Sequence, residues 1–248
     1  PSEYVQFESL GSLDRDDMRV LAREALGGAF AQHAEHLVEV AGDSPLVVAV
    51  GGQLIQREQI SPGLLERSED FRDVVLGRFR DTLVGEIAGQ FDSHDVKRVL
   101  EVTAALSPVR PEDEEYLELA AEFLDAEVRT IEEIYQQLEE TGVVLRRGGL
   151  IRITPDVLAD HILHDACVAN RGNSTGFAQE VYNQFSERAA KRLLPNLAEL
   201  DWRLKQSDEK SPSVLQTIWG KIEGQFDEAD WYERRDILEQ VREAARYL

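Results

Sequence analysis

One segment of the chain has the spacing of a nucleophilic serine turn. Residues 172–176 read GNSTG, the G-x-S-x-G pattern in which a strained turn between a strand and a helix exposes a serine hydroxyl. That turn requires a buried strand before it, whereas residues 162–170 have the apolar spacing of a helix. We therefore interpret the segment as a loop in which Ser174 or Thr175 caps the next helix, and we expect no enzymatic role for it.

Two pairs of histidines have the one-turn spacing that can hold a metal ion. His33 and His36 form one pair, and His161 and His164 form the other, near the single cysteine, Cys167. A structural zinc site normally uses four ligands in recognisable, usually cysteine-rich pairs. Neither group offers such a set. The sequence therefore predicts solvated or interface histidines and no metal site.

A third segment, GDSPL at residues 42–46, predicts the start of a buried helix. Ser44 can accept a hydrogen bond at the N-cap. Pro45 suits the first helical position, because an N–H group there would have no intrahelical partner. A proline ring beside free N–H groups offers an apolar contact next to donors, which suits a nucleotide base. No G-x-x-x-x-G-K-[ST] loop is present, and Asp113 does not follow an apolar strand. We therefore expect that the chain alone is not an enzyme and does not hydrolyse nucleotide.

The elements that must position these residues are mostly helices. Residues 1–92 begin with a strand-like run at 4–7 and continue as a helical bundle, with helices at 14–26, 30–40, 45–55 and 71–89. Residues 93–156 predict three helices, at 95–106, 112–124 and 127–141, followed by strands at 143–147 and 150–154. The strands are joined by Gly-Gly, so the pattern predicts a winged-helix domain with a short β-hairpin wing.

The remaining residues, 157–248, predict a further helical region. Helices are expected at 156–170, 175–190, 192–206, 212–225 and 229–248, and their short connections favour antiparallel pairs. No repeat of fixed period is visible, so the sequence does not decide between a connector and the start of a repeat array. The fold class is therefore mostly α, with a lid-like bundle, a winged helix and antiparallel helices.

The charge of the chain disfavours nucleic acid as a partner. It has 27 basic and 48 acidic residues, a formal net charge of -21. The predicted recognition helix, 128–141, carries one arginine and four glutamates, which would repel phosphates in a major groove. The wing adds Arg146, Arg147 and Arg152. Any anionic partner is expected instead at the last segment, where basic residues gather (Arg188, Lys191, Arg192, Arg203 and Lys205).

Composition also sets the expected compartment. The longest apolar run is about half of the roughly 20 residues that a membrane helix needs, and the one cysteine has no partner for an internal disulfide. We therefore expect a cytoplasmic protein without a membrane partner. The chain starts at Pro1 without an initiator methionine, and we expect it to be a piece of a longer protein.

The order of these parts resembles the C-terminal half of a STAND ATPase, a signal-transduction class of AAA+ proteins related to NB-ARC and NACHT proteins and to bacterial antiphage sensors. The resemblance covers about residues 4–168: a strand remnant ending in LGSLD at 10–14, a lid bundle containing GDSPL, and a winged helix. It implies a non-catalytic regulatory fragment that connects to a sensor, with the winged helix as an intramolecular or protein-binding clamp. It also implies a role in defence signalling.

The resemblance implies specific site residues and partners. Ser44, Pro45 and Leu46 would lie on the adenine side, Gly42 would permit close approach, and ATP or ADP would bind only in the full-length parent. NB-ARC relatives have Met-His-Asp at the junction after the wing, whereas residues 154–156 are Thr154, Pro155 and Asp156. The phosphate-sensing histidine is therefore missing, and Asp156 is left as a helix cap. The expected partners are the missing ATPase core, the effector domain, and a protein ligand or further copies.

The alternative function is a winged-helix transcription regulator that binds DNA and dimerises through its helical region. The two functions differ in the charge that the recognition helix presents to a partner. Salt-dependent DNA binding is expected only of the transcription regulator.

Overall fold

The structure, a computed structural model, describes residues 13–87, 89, 91–169, 173–207, 211 and 213–247, with only the backbone at Glu69 and Ser207. The expected fold class is confirmed, because the described chain is mostly helical and has one short antiparallel hairpin. The strand predicted at 4–7 and most of the loop predicted at 208–212 lie outside the described residues. The chain divides into two compact units, 1–79 and 80–248. The finer division at residues 92 and 156 stays a prediction.

The first unit is helical, and two of its helices begin at the caps that the sequence predicts. Asp14 accepts hydrogen bonds from the N–H groups of Asp16 and Asp17, and the helical backbone breaks at Gly27, where φ is 65°. The helices are α1 (Arg15–Phe30), α2 (Ala34–Ala41), α3 (Pro45–Gln56) and α4 (Ser68–Ile87), with 3-10 turns at Ala31–His33 and Pro62–Glu66. The boundary between the two units falls within α4.

Two adjacent glycines allow α3 to pack closely inside the first unit. A methyl group at Gly51 would lie 2.6 Å from Cζ of Phe71, and one at Gly52 would lie 2.5 Å from Cβ of Ala25. Real Cβ atoms do not approach so closely, because the packed interior has no free space at these points. The glycines therefore set the separation of α3 from α1 and from the start of α4.

The second unit contains the predicted three helices and hairpin. These are α5 (Ser93–Leu106), α6 (Glu114–Leu124), α7 (Val128–Glu140), β1 (Val144–Arg147) and β2 (Leu150–Ile153). Gly148 and Gly149 form the turn with φ of 57° and 79°, as the Gly-Gly sequence predicts. Val109 adds an antiparallel bridge to Ile151, which the sequence analysis did not predict. The hairpin is therefore tied to the connection between α5 and α6.

The region after the hairpin differs from the prediction in one respect. It contains α8 (Asp156–Cys167), α9 (Phe177–Ser207), α10 (Gln216–Glu228), α11 (Trp231–Val241) and a 3-10 turn at Ala244–Tyr247. The prediction of separate helices at 175–190 and 192–206 is wrong, because α9 is one helix of 31 residues with Pro195 inside it. Leu193, Leu194 and Leu197 are fully buried on both sides of Pro195, and this burial outweighs the roughly 3 kcal/mol that an interior proline costs.

The longest described helix, α9, is amphipathic. Beside its buried stripe it exposes charged positions such as Glu187, Arg188 and Lys191. No helix in the described part of the chain has both the length and the apolar character needed to cross a bilayer.

Candidate functional site

The segment predicted to face a nucleotide base is an exposed, capped helix start in the first unit. The hydroxyl of Ser44 accepts a hydrogen bond from the N–H of Val47 at 3.4 Å, and Pro45 occupies the first turn. Pro45 is exposed and Leu46 is half-buried. Val47, with no exposed surface, anchors the helix in the core instead of Leu46. The predicted cap is confirmed, whereas the anchoring residue is one position later than predicted.

The surface at this segment is open and has no basic side chain. Gly42 has a φ of 59°, and a methyl group there would meet no atom within 4 Å, so the space beside Gly42 is open. An open backbone beside an exposed proline ring can accept the flat face of a base. Residues 42–56 contain no lysine or arginine. Phosphate groups would therefore need partners from elsewhere, and contact with a nucleotide stays a prediction.

The predicted regulatory junction lies in the second unit, where β2 passes into α8. The N–H of Thr154 donates to the carbonyl of Val143 at 2.8 Å and so extends the hairpin by one hydrogen bond. Pro155 holds the N-cap position of α8 without a side-chain cap. The prediction that Asp156 caps the helix is wrong: it is the first helical residue, and its exposed carboxylate lies 3.7 Å from Arg152.

A charged groove of about 380 Å³ separates this junction from α9. Arg203 of α9 pairs with Asp160 of α8 at 2.6 Å and with Glu199 at 2.5 Å. Burial raises the pKa of Asp160 despite this ion pair. The amide of Asn196 donates to the carbonyls of Ala105 and Ser107 at 2.9 and 3.0 Å. These contacts fix α9 to the end of α5 and to α8.

The β1–β2 hairpin is held against α7 by one arginine. Arg146 of β1 donates from Nε to both carboxylate oxygens of Glu139 at 2.9 Å, and from Nη1 to Glu112 at 2.7 Å. The hydrogen bond from Arg146 lowers the pKa of Glu139 below its ordinary value. Bidentate contacts of this kind are the strongest that arginine makes with a carboxylate. The Arg146 charge is therefore neutralised within the domain and is not presented to a nucleic acid.

The solvent face of α7 is acidic. Ile131, Ile134, Tyr135 and Leu138 are buried, which leaves the glutamates and glutamines on the outside. The single arginine of the helix, Arg129, donates to Glu133 at 2.8 Å. Repulsion between this face and phosphate groups disfavours insertion into a major groove.

The serine segment has the geometry of a loop and not of a nucleophile turn. Gly172 lies outside the described residues, and Ser174 is exposed. Thr175 accepts from the N–H of Phe177 at 3.2 Å and donates to the carbonyl of Ala166 at 2.5 Å. The predicted capping of the next helix is thus confirmed for Thr175. The segment follows α8 rather than a strand of a sheet.

The histidines of α8 belong to an ion-pair cluster. Arg80 donates to Asp165 at 2.7 Å, and Asp165 lies 3.5 Å from His161 and 3.4 Å from His164. Burial raises the pKa of Asp165, but the His164 hydrogen bond and the charges of His161 and Arg80 outweigh it and lower the pKa to about 2. Cys167 is buried, which raises its pKa to about 12. Within the described residues, no group of three or more His, Cys, Asp and Glu could hold a metal ion.

Comparison with known proteins does not assign this chain to a family. The sequence matches no protein family, no curated protein and no solved structure. The function must therefore be inferred from the geometry and charge of the chain itself.

Proposed function

We propose that this chain is the non-catalytic regulatory and sensor-connecting part of a STAND-like ATPase, in which the winged helix is an intramolecular or protein-binding clamp. The observation that carries the proposal is the acidic exposed face of α7. In addition, Arg146 forms ion pairs with Glu112 and Glu139 and is not available to a phosphate. Both features suit contact with protein rather than with phosphates. The capped, exposed start of α3 adds support, since it leaves Pro45 accessible to a base.

The proposal places the protein in the cytoplasm, in defence signalling. The full-length parent binds ATP or ADP through its ATPase core, and GDSPL contributes only the apolar contact to the base. The partners of this chain are that core, the effector domain, and a protein ligand or further copies of the parent.

A measurement of DNA binding by the 248-residue chain distinguishes the proposed function from that of a transcription regulator. We expect no change in the fluorescence anisotropy of a labelled duplex at micromolar protein and about 50 mM salt. A positive control is Glu132→Lys with Gln136→Lys, two exposed positions one turn apart on α7. This variant should gain weak, salt-sensitive binding. Comparable binding by the unaltered chain would overturn the proposal.

The nucleotide half of the proposal is tested in the full-length parent. The open reading frame should contain Walker A and Walker B elements within roughly 150–200 residues before Pro1, and ADP should raise the melting temperature of the parent. Pro45→Ala should reduce this shift. Pro62→Ala is the matched control, because Pro62 also follows a capping serine at a helix start. Absence of both Walker elements would exclude the class.

A further inference from the structure

A small cavity in the second unit has an apolar wall and a basic mouth. It has a volume of about 140 Å³ and lies between the α5–α6 connection and the middle of α9. Its apolar wall comprises Leu106, Val109, Leu119, Phe185 and Ala189. An apolar cavity of roughly 150 Å³ is large enough to hold a benzene ring. The cavity therefore accommodates one small ring or one branched aliphatic group.

The polar residues around this cavity are mainly arginines. Arg110, Arg188 and Arg192 line it, and Asp113 is the one acidic lining residue. In a chain with 48 acidic and 27 basic residues, such a local excess of positive charge is unusual. The sequence indicated that Arg188 and Arg192 belong to a basic group. Arg110 is distant from them in sequence, and the fold brings it to the same cavity.

The three arginines differ in how many of their N–H donors already bind other protein groups. Arg188 pairs with Glu115, and Arg192 donates from Nη1 to the carbonyl of Pro108 at 2.8 Å. Arg110 is exposed, and its guanidinium group has no hydrogen bond or ion pair with any described residue. A guanidinium group carries five N–H donors, so donors remain at this mouth for a carboxylate.

The one tyrosine in the lining, Tyr116, is fixed and uncharged. The hydroxyl of Tyr116 lies 2.6 Å from that of Tyr135, which in turn lies 2.9 Å from the hydroxyl of Thr103. Burial raises the pKa of both tyrosines, so they stay neutral at physiological pH. This network holds the Tyr116 ring in place without adding a negative charge that would compete with an anion.

We propose that this cavity binds a small organic monocarboxylate whose apolar body is about the size of one six-membered ring. The apolar body would lie against Phe185 and Leu119, and the carboxylate would lie at the mouth beside Arg110 and Arg192. The volume is below the roughly 300 Å³ of pockets for drug-sized ligands, so a nucleotide is too large for it. The site is therefore separate from the proposed base contact at GDSPL.

Benzoate is the probe that tests the site, by titration calorimetry and amide chemical shifts. We expect saturable binding with a dissociation constant of about 1 mM or tighter. Benzamide has the ring without the charge, and acetate has the charge without the ring. Both should bind at least tenfold more weakly than benzoate. Equal binding of benzamide or acetate, or no saturation by about 10 mM benzoate, would overturn the proposal.

Arg110→Gln locates the binding. Because the guanidinium group of Arg110 is exposed and makes no hydrogen bond or ion pair with the described residues, the variant should keep its fold and weaken benzoate binding at least fivefold. Arg147→Gln is the matched control, since it removes an exposed wing arginine that does not line the cavity. Benzoate affinity in this control should be unchanged. Equal affinities in Arg110→Gln and the unaltered chain would reject the site.

Discussion

Individual residues set the helix starts and the closest packing of this protein. Asp14 and Ser44 accept hydrogen bonds from first-turn N–H groups, as their residue types predict. Gly51 and Gly52 have a different role, because they remove side chains where α3 meets its neighbours. A glycine pair inside a helix usually weakens it. Here the close contact that the pair allows offsets that loss.

The packing role of Gly52 predicts opposite effects for two Gly→Ala substitutions in the first unit. Gly52→Ala should lower the free energy of unfolding by about 1–3 kcal/mol, because the added methyl group overlaps Ala25. Gly28→Ala should be neutral or stabilise by roughly 0.5–1 kcal/mol, since a methyl group there meets no atom within 4 Å. Amide hydrogen exchange in α3 measures both. Equal protection in the two variants would contradict the close contact.

Caps and turns could be predicted from the sequence because each depends on a few neighbouring residues. The Gly148-Gly149 turn and the Ser44 cap are of this kind. The role of Gly52 depends on Ala25, which lies on another helix, and no local pattern reports that distance. The same reason explains why Arg110 was not grouped with Arg188 before the fold was known.

At the scale of elements, tertiary burial overrides local signals. The sequence predicted separate helices at 175–190 and 192–206, yet α9 is continuous through Pro195. The connection of Val109 to Ile151 is a single pair of residues and therefore has no periodic signature. Long periodic helices were thus predictable, whereas their continuity and the extra bridge depended on contacts distant in sequence.

The attachment of the wing to α7 predicts unequal roles for two adjacent arginines. Arg146→Ala should lower the free energy of unfolding by roughly 0.5–1 kcal/mol, a modest value because its partners are partly exposed. Arg147→Ala should have almost no effect, because the side chain of Arg147 is exposed and has no hydrogen bond or ion pair with the described residues. Urea unfolding followed by tryptophan fluorescence measures both, since all three tryptophans lie in the second unit. A larger effect from Arg147→Ala would reject this role of Arg146.

The contact between α4 and α8 predicts a pH-dependent contribution to stability. Because the folded pKa of Asp165 is about 2, below its ordinary 3.8, its contribution is complete above about pH 4 and disappears as the pH falls through 2. Asp165→Asn should therefore destabilise by about 1 kcal/mol at pH 7, a value reduced for solvent screening, and the difference should be lost as the pH falls through 2. Urea unfolding at several pH values measures it.

The control for this prediction is Asp156→Asn. Asp156 is on the same helix, but its carboxylate is 76% exposed and 3.7 Å from Arg152. Its substitution should change stability little at any pH. A difference for Asp165→Asn that stays constant from pH 7 to pH 2 would show that the carboxylate charge is not responsible.

At the scale of the whole molecule, the net charge of -21 opposes the compact state. Salt weakens this general repulsion, and it also weakens exposed ion pairs such as Arg15 with Glu35. Surface pairs of this kind contribute little, so the repulsion should dominate the balance. The local pairs nevertheless limit the size of the net effect.

We therefore expect that raising NaCl from about 20 to about 300 mM increases the melting temperature by roughly 2–4 °C. Scanning calorimetry at pH 7 measures this change, and KCl should reproduce it because screening depends on ionic strength and not on the cation. An equal osmolality of sucrose controls for effects of the cosolvent other than screening. A melting temperature that falls with salt would show that the exposed ion pairs outweigh the repulsion among the 48 acidic residues.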